Sequence, residues 1–158
     1  MARNRLPISG DGDHRARPGH WPPTRSNETH FPRGSVAAEA VERLGHQRIR
    51  LDTPADDPTY LAIIDAEKRW LMANPVVNDI YTFRPVDPEN VQLIVDSETD
   101  YDRNGVFEGD RETRTDIGEA LEVGGEFVAA AAGGRGGLDS NPATDRWGTW
   151  ISAYWPLR

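Results

Sequence analysis

The stretch from residue 80 to residue 96 decides the fold, and it reads IYTFRPVDPENVQLIVD. Its two ends, Ile80–Arg84 and Val91–Asp96, are rich in β-branched and aromatic residues, which is typical of strands. Residues 85–90 between them hold two prolines, an aspartate and an asparagine, which is typical of a turn. Because so short a connection makes the strands antiparallel, the sequence predicts a β-hairpin.

Two helices are predicted before this hairpin. Ser35 is suited to cap a helix over residues 36–44, and Gly45 to end it. Asp57 is suited to cap a second helix that has Pro58 at its first position and stops at Asn74. Its apolar face is predicted from helical spacing, with members Tyr60, Ile63, Ile64, Trp70 and Leu71. The opposite, polar face is expected to hold Asp65, Glu67, Lys68 and Arg69.

Residues 122–132 are predicted to form a short alanine-rich helix, and residues 147–155 a last strand dense in aromatic residues. Helices followed by antiparallel strands predict an α+β domain over residues 35–158, with the helices packed on one sheet face. Only a few strands are visible in the sequence, and the chain stops directly after one. We therefore expect the sheet to lack its last strand.

Residues 1–34 are rich in Arg, Pro, Gly, His and Asp and contain few aliphatic residues. Such a segment buries too little apolar surface to offset the entropy lost on ordering, so it is predicted to be disordered. The alternative is a basic arm for an anionic partner. Its small net charge favours the first interpretation.

Composition excludes several classes of protein. The chain has 158 residues and a net charge of −8, which argues against a nucleic-acid-binding protein. It contains no cysteine, so disulfides and thiolate metal sites are excluded. No apolar run is long enough for a transmembrane helix, and the N-terminus lacks the apolar core of a signal peptide.

Residues 100–112 contain an alternating series of oxygen-bearing side chains followed by a glycine, a pattern typical of calcium loops. Side chains at every second position of a tight turn converge on one hard cation, and Gly105 permits the bend. Arg111 stands where an EF-hand has its bidentate glutamate, and no helical pattern flanks the loop. We therefore predict a calcium loop between strands. The expected ligands are Asp100, Asp102, Asn104, Val106 through its carbonyl, Glu108 and Glu112. The alternative is an acidic turn built on Asn104-Gly105.

The aromatic final strand allows two interpretations. Its rings either pack in the core against the second helix or line a small-molecule pocket. The residues predicted for the pocket are Tyr81, Arg84, Asp145, Trp147, Trp150 and Tyr154. No catalytic motif is found, and His46, which is the one histidine in residues 35–158, is expected at the surface.

Five segments occur here in an order that resembles bacterial extracytoplasmic PAS-like or Cache-like sensor domains of histidine kinases, diguanylate cyclases and chemoreceptors. They are Asp57–Tyr60, Ile80–Arg84, Val95–Gly105, Asp116–Glu119 and Thr144–Tyr154. The resemblance covers residues 36–158. It implies a central antiparallel sheet, a ligand pocket on one sheet face, an extracytoplasmic location and no catalysis. Residues 1–34 stand where such domains usually have a transmembrane helix, and from the sequence we expect a module without its output domain.

The leading hypothesis is a non-catalytic sensor module of a signal-transduction protein. It would bind an unknown small-molecule signal, with a homodimer as a further expectation, and would carry a structural calcium loop. The alternatives are a stand-alone calcium-binding protein and a decayed fragment with no signalling role.

Overall fold

A computed structural model describes residues 2–7, 32–102, 104–122, 133–145 and 148–158 of the chain. It contains two α-helices, one short 3-10 helix and six β-strands within those ranges. In chain order they are β1 (Ala2–Pro7), α1 (Pro32–Arg43), the 3-10 helix (His46–Arg48), α2 (Pro58–Ala73), β2 (Asp79–Pro85), β3 (Asn90–Asp96), β4 (Ala120–Glu122), β5 (Gly137–Asp145) and β6 (Gly148–Trp155).

The strands form one antiparallel sheet in the order β4-β3-β2-β1-β6-β5. It consists of two three-stranded halves, β4-β3-β2 and β1-β6-β5, which meet where β1 pairs with β2. The predicted hairpin is confirmed as β2 and β3, and the predicted last strand as β6. The protein therefore belongs to the α+β class.

The position of β1 corrects the sequence prediction. Residues 1–34 were predicted to be disordered, yet Ala2–Pro7 pairs with β2 on one side and with β6 on the other. Ladder hydrogen bonds come from the backbone, so a segment poor in aliphatic residues can still form a strand between two partners. β6 is paired on both sides, with β5 on one and with β1 on the other. The helix predicted over 122–132 is wrong at its first residue, because Glu122 ends β4, and its other residues, 123–132, lie outside the described residues, as do residues 8–31.

Both helices pack against the same face of the sheet. α1 contacts β1 and β6, and α2 contacts β2 and β3. The second helix begins as predicted, because the Asp57 carboxylate accepts hydrogen bonds from the backbone N–H groups of Thr59 and Tyr60, at 2.8 and 3.0 Å. The first helix begins earlier than predicted, at Pro32, so the expected domain boundary at residue 34 falls inside it.

Two apolar clusters lie on opposite faces of the sheet. One joins the helices to β3 and contains Val41, Ile49, Tyr60, Ile63, Ile64, Ile94 and Val95. The other contains Tyr81, Phe83, Val91 and Leu93, with Tyr154 packed against it. The pairing of β2 with β3 shifts between Thr82 and Phe83, and Ile94 is the additional residue of β3. No helix among the described residues is long and apolar enough to cross a membrane.

Candidate metal centre

The acidic loop, residues 97–119, connects β3 to β4 without a flanking helix, as predicted. Its start is anchored on the carboxylate of Asp79, a residue that is 5% exposed. Three hydroxyl groups donate to this carboxylate, those of Ser97 at 3.3 Å, Thr99 at 3.1 Å and Tyr101 at 3.4 Å. Several donors stabilise a buried carboxylate that would otherwise be costly. The first residues of the loop are thereby fixed to the start of β2.

Glu98 ties the same loop to α2. Its carboxylate accepts hydrogen bonds from Lys68 on α2 and from Arg114 further along the loop. Burial opposes ionisation of Glu98, but these bonds and the two positive charges outweigh it and lower the pKa of the carboxyl group. The Arg114 guanidinium also donates to the carbonyl oxygen of Ala55 at 3.0 Å. The Glu98 carboxylate therefore links α2 to the acidic loop.

The predicted calcium pattern forms a closed turn. The Asp100 carboxylate accepts from the backbone N–H groups of Asn104 and Gly105, at 3.2 and 2.9 Å. Asp102 accepts from the backbone and from the side-chain amide of Asn104, at 3.0 and 2.8 Å. Gly105 has a φ of 82°, a left-handed conformation that glycine adopts without the cost of a Cβ. The glycine therefore has the role that the sequence predicted for it.

Glu112 closes the turn from the other end of the loop. Its buried carboxylate accepts from the backbone N–H groups of Tyr101 at 2.8 Å and Asp102 at 3.1 Å. One oxygen each of Asp100, Asp102 and Glu112 lies within 4.8 Å of the others. Three carboxylates this close repel one another unless a cation lies among them. The donor set consists of oxygen, which suits a hard cation such as calcium.

The structure brings together three of the six predicted metal ligands. Asn104 lies beside them, but its side-chain oxygen accepts from the backbone N–H of Val106 at 2.6 Å. Glu108 is exposed and lies outside the three-carboxylate group. Val106 is also exposed. The acid that closes the group is Glu112, one residue beyond the position of the EF-hand glutamate.

An open cleft of about 920 Å³ separates this loop from β6. The Tyr101 and Trp150 rings lie on its wall, with centroids 6.0 Å apart. Its described lining also includes Asn78, Asp102, Glu108, Gly109, Asp110, Arg111, Glu112, Gly148 and Thr149. Aromatic and acidic groups thus occur together beside the candidate metal centre.

The predicted pocket residues are placed in different parts of the molecule. Of the six, Trp150 is the one among the described side chains that lines this cleft. Tyr81 is 3% exposed and belongs to the apolar cluster with Phe83, Val91 and Leu93, against which Tyr154 packs. Arg84 points to the helix side and donates to the Ile49 carbonyl oxygen at 2.6 Å. The side chains of Asp145 and Trp147 lie outside the described residues.

The sequence analysis did not predict the two acidic residues, Asp79 and Glu98, that hold the acidic loop to the rest of the fold. Asp79 and Glu98 gave no signal, because an acid beside a strand usually faces solvent. His46 was expected at the surface, yet it is buried, and its Nε2 lies 2.7 Å from the Thr82 hydroxyl oxygen. Burial is the main cause that lowers the pKa of His46 to about 3, and the positive charge of Arg84 is a smaller one. It therefore stays neutral at physiological pH.

Comparison with family models, with curated proteins and with solved structures finds no match to this chain.

Proposed function

We propose that the chain is a non-catalytic ligand-binding module of the sensory type whose acidic loop folds around a calcium ion. The observation that supports it best is the convergence of Asp100, Asp102 and Glu112, whose carboxylate oxygens lie within 4.8 Å of one another. These atoms come from both ends of the loop. A cation among them would hold the loop closed.

The chain's own residues prepare this site before any ion binds. Backbone N–H groups orient the carboxylates of Asp100, Asp102 and Glu112 through hydrogen bonds. Calcium would supply positive charge that offsets their mutual repulsion. Magnesium is a poorer fit because it demands near-octahedral geometry and releases its waters reluctantly.

The cleft beside the loop supports the sensory part of the proposal. Its volume of about 920 Å³ lies in the range of small-molecule sites. Tyr101, Asp102 and Glu112 belong both to the loop and to the cleft wall. An ion that orders the loop would therefore also set the shape of the ligand site. An extracytoplasmic location and a signalling partner form part of the same proposal.

Calcium binding should stabilise the folded protein. Asp102→Ala combined with Asn104→Ala should lower the melting temperature more in calcium than in calcium-free buffer, where the variant loses only hydrogen bonds of an exposed turn. A ligand of the native state at 100 times its Kd adds about 2.7 kcal/mol, or roughly 5–10 °C for a chain of this size. The measurement is thermal unfolding of both proteins with and without calcium. Tryptophan fluorescence during a calcium titration is the sum over five tryptophans, one of which, Trp150, lines the cleft.

Asp116→Asn is the matched control, because Asp116 is an exposed acid in the same loop but outside the three-carboxylate group. This variant should respond to calcium as the wild type does. The metal proposal fails if calcium leaves the unfolding of the wild type unchanged. A gain in stability with little change in fluorescence is expected of a structural calcium loop, whereas a large change in fluorescence would instead favour a stand-alone calcium-binding protein.

A further inference from the structure

A second cleft, of about 380 Å³, lies between the 3-10 helix, the end of β2 and the last described residues. It shares no lining residue with the acidic loop or its cleft. Its described lining comprises Glu42, His46, Gln47, Arg50, Phe83, Arg84, Pro85, Gly134, Pro156, Leu157 and Arg158. Nothing in the calcium proposal accounts for it.

The charge of this cleft is opposite to that of the whole chain. Arg50, Arg84 and Arg158 contribute three guanidinium groups, whereas the net charge of the protein is −8. Among the described lining residues the acid is Glu42, and its carboxylate accepts a hydrogen bond from the Arg158 backbone N–H. A positive cleft on an acidic protein concentrates anions locally.

Arg84 is held in place to face this cleft. It projects from β2 on the helix side, where one terminal nitrogen donates to the Ile49 carbonyl oxygen at 2.6 Å. Partial burial and the charge of nearby Arg50 lower the pKa of Arg84. Two guanidinium groups close enough to repel each other would gain from an anion between them. The guanidinium fork matches the geometry of carboxylate and phosphate groups.

His46 and Gln47 add polar groups to the same wall. His46 is fixed by its contact with the Thr82 hydroxyl and is neutral, so it contributes hydrogen bonding without charge. Pro156 and Leu157 provide an apolar side, which suits a small organic molecule.

We propose that this cleft binds the oxyanion group of a small molecule, a phosphate or a carboxylate, between Arg50 and Arg84. The site does not require calcium, so its test is independent of the loop.

Isothermal titration calorimetry on the full chain tests this assignment. Inorganic phosphate and succinate serve as separate probes, at constant ionic strength, in buffer freed of metals by a chelating resin. We expect saturable binding of one probe at least, and the probe that binds identifies the anion class. Arg50→Gln should weaken the binding about tenfold, because a charge-assisted bond is lost. Arg84→Lys keeps the charge but loses the fork, so it should weaken binding as well.

Arg69→Gln is the matched control, since it removes one exposed arginine of α2 that pairs with Asp65 and lies outside the cleft. It should bind the probe as the wild type does. The proposal is overturned if neither probe saturates below about 10 mM. It is also overturned if Arg50→Gln and Arg69→Gln have equal effects, because the binding would then reflect overall charge. Arg50 is exposed, so its variant remains informative even if Arg84→Lys does not fold.

Discussion

Glu67 lies on the buried side of α2, and its side chain is 1% exposed. Neither carboxyl oxygen has a hydrogen-bond partner within the part of the chain that the structure describes. Burial raises the pKa of Glu67 well above its usual value, and the negative charges of Asp96 and Asp79 raise it further. The group is therefore neutral in the folded protein at pH values where it is ionised in the unfolded chain.

This pKa predicts how stability depends on pH. Because the folded state binds the proton more tightly, the contribution of Glu67 is present in acid and is lost as pH rises above the unfolded pKa, near 4.5. Glu67→Gln cannot ionise, so its stability should decline less between pH 5 and pH 8. Urea denaturation of both proteins across this range measures the difference. Glu89→Gln, in the exposed turn between β2 and β3, should retain the wild-type slope; a parallel decline for Glu67→Gln would contradict the prediction.

The error at Glu67 has a physical origin. Helical spacing placed Tyr60, Ile63 and Ile64 on the buried face, and the structure confirms these three. Glu67 continues the same face, four residues after Ile63, but its charge led to an assignment on the polar face. Spacing alone would have placed it correctly, whereas residue type indicated the opposite.

Ion pairs help to hold the acidic loop in position. Lys68 and Arg114 both reach Glu98, so one carboxylate holds the loop to α2. Glu98 also has a φ of 51°, which is unfavourable for a residue with a side chain and persists because of these contacts. Loss of this carboxylate should therefore loosen the loop more than the rest of the fold.

Glu98→Gln should lower the free energy of unfolding by about 1–3 kcal/mol, since both cationic partners are partly exposed. The effect should be largest at neutral pH. The lowered pKa of Glu98 means that its contribution is present above the unfolded pKa and is lost as pH falls. Hydrogen exchange should accelerate first at the amides of residues 100–106. Glu39→Gln breaks an exposed pair on α1 and serves as the control; equal loop protection in both variants would argue against this role of Glu98.

Local sequence patterns predicted helices, strands and a turn, but not the long-range contacts that hold them together. The Asp57 cap predicted the start of α2, and the alternation of residues 80–96 predicted the hairpin, because both signals are encoded within a few residues. The turn at Asn104-Gly105 was equally local. The contact of Tyr101 with Trp150 and the ion pair of Lys68 with Glu98 join residues that are distant in sequence. Short patterns carry no information about such pairs.

At the scale of the whole molecule, β1 unites the sheet. It pairs with β2 on one side and with β6 on the other, and so connects the strands β4-β3-β2 to the strands β6-β5. Its sequence carries no strand pattern, which explains the prediction of disorder for residues 1–34. The α+β class could be predicted, whereas the order of the strands could not.

A proline at Asn4 tests this arrangement. Asn4 pairs with Ile80 on one side and with Ala153 on the other, and proline lacks the N–H of a central strand. Asn4→Pro should lower the free energy of unfolding by about 3 kcal/mol, measured by urea denaturation. Asn4→Ala retains the backbone amide and is the control. Equal stability of the two variants would show that β1 is not a central strand.

The pairing of Ala2 with Trp155 has a consequence for how the molecule assembles. Contacts between positions so far apart in sequence form slowly, since a long stretch of chain must first lose its freedom. Until they form, the facing edges of β2 and β6 present unpaired backbone groups that another polypeptide can use. The β1 segment of a second molecule offers the same register. Refolding at high concentration should accordingly favour strand-exchanged dimers, and dilution should favour the monomer.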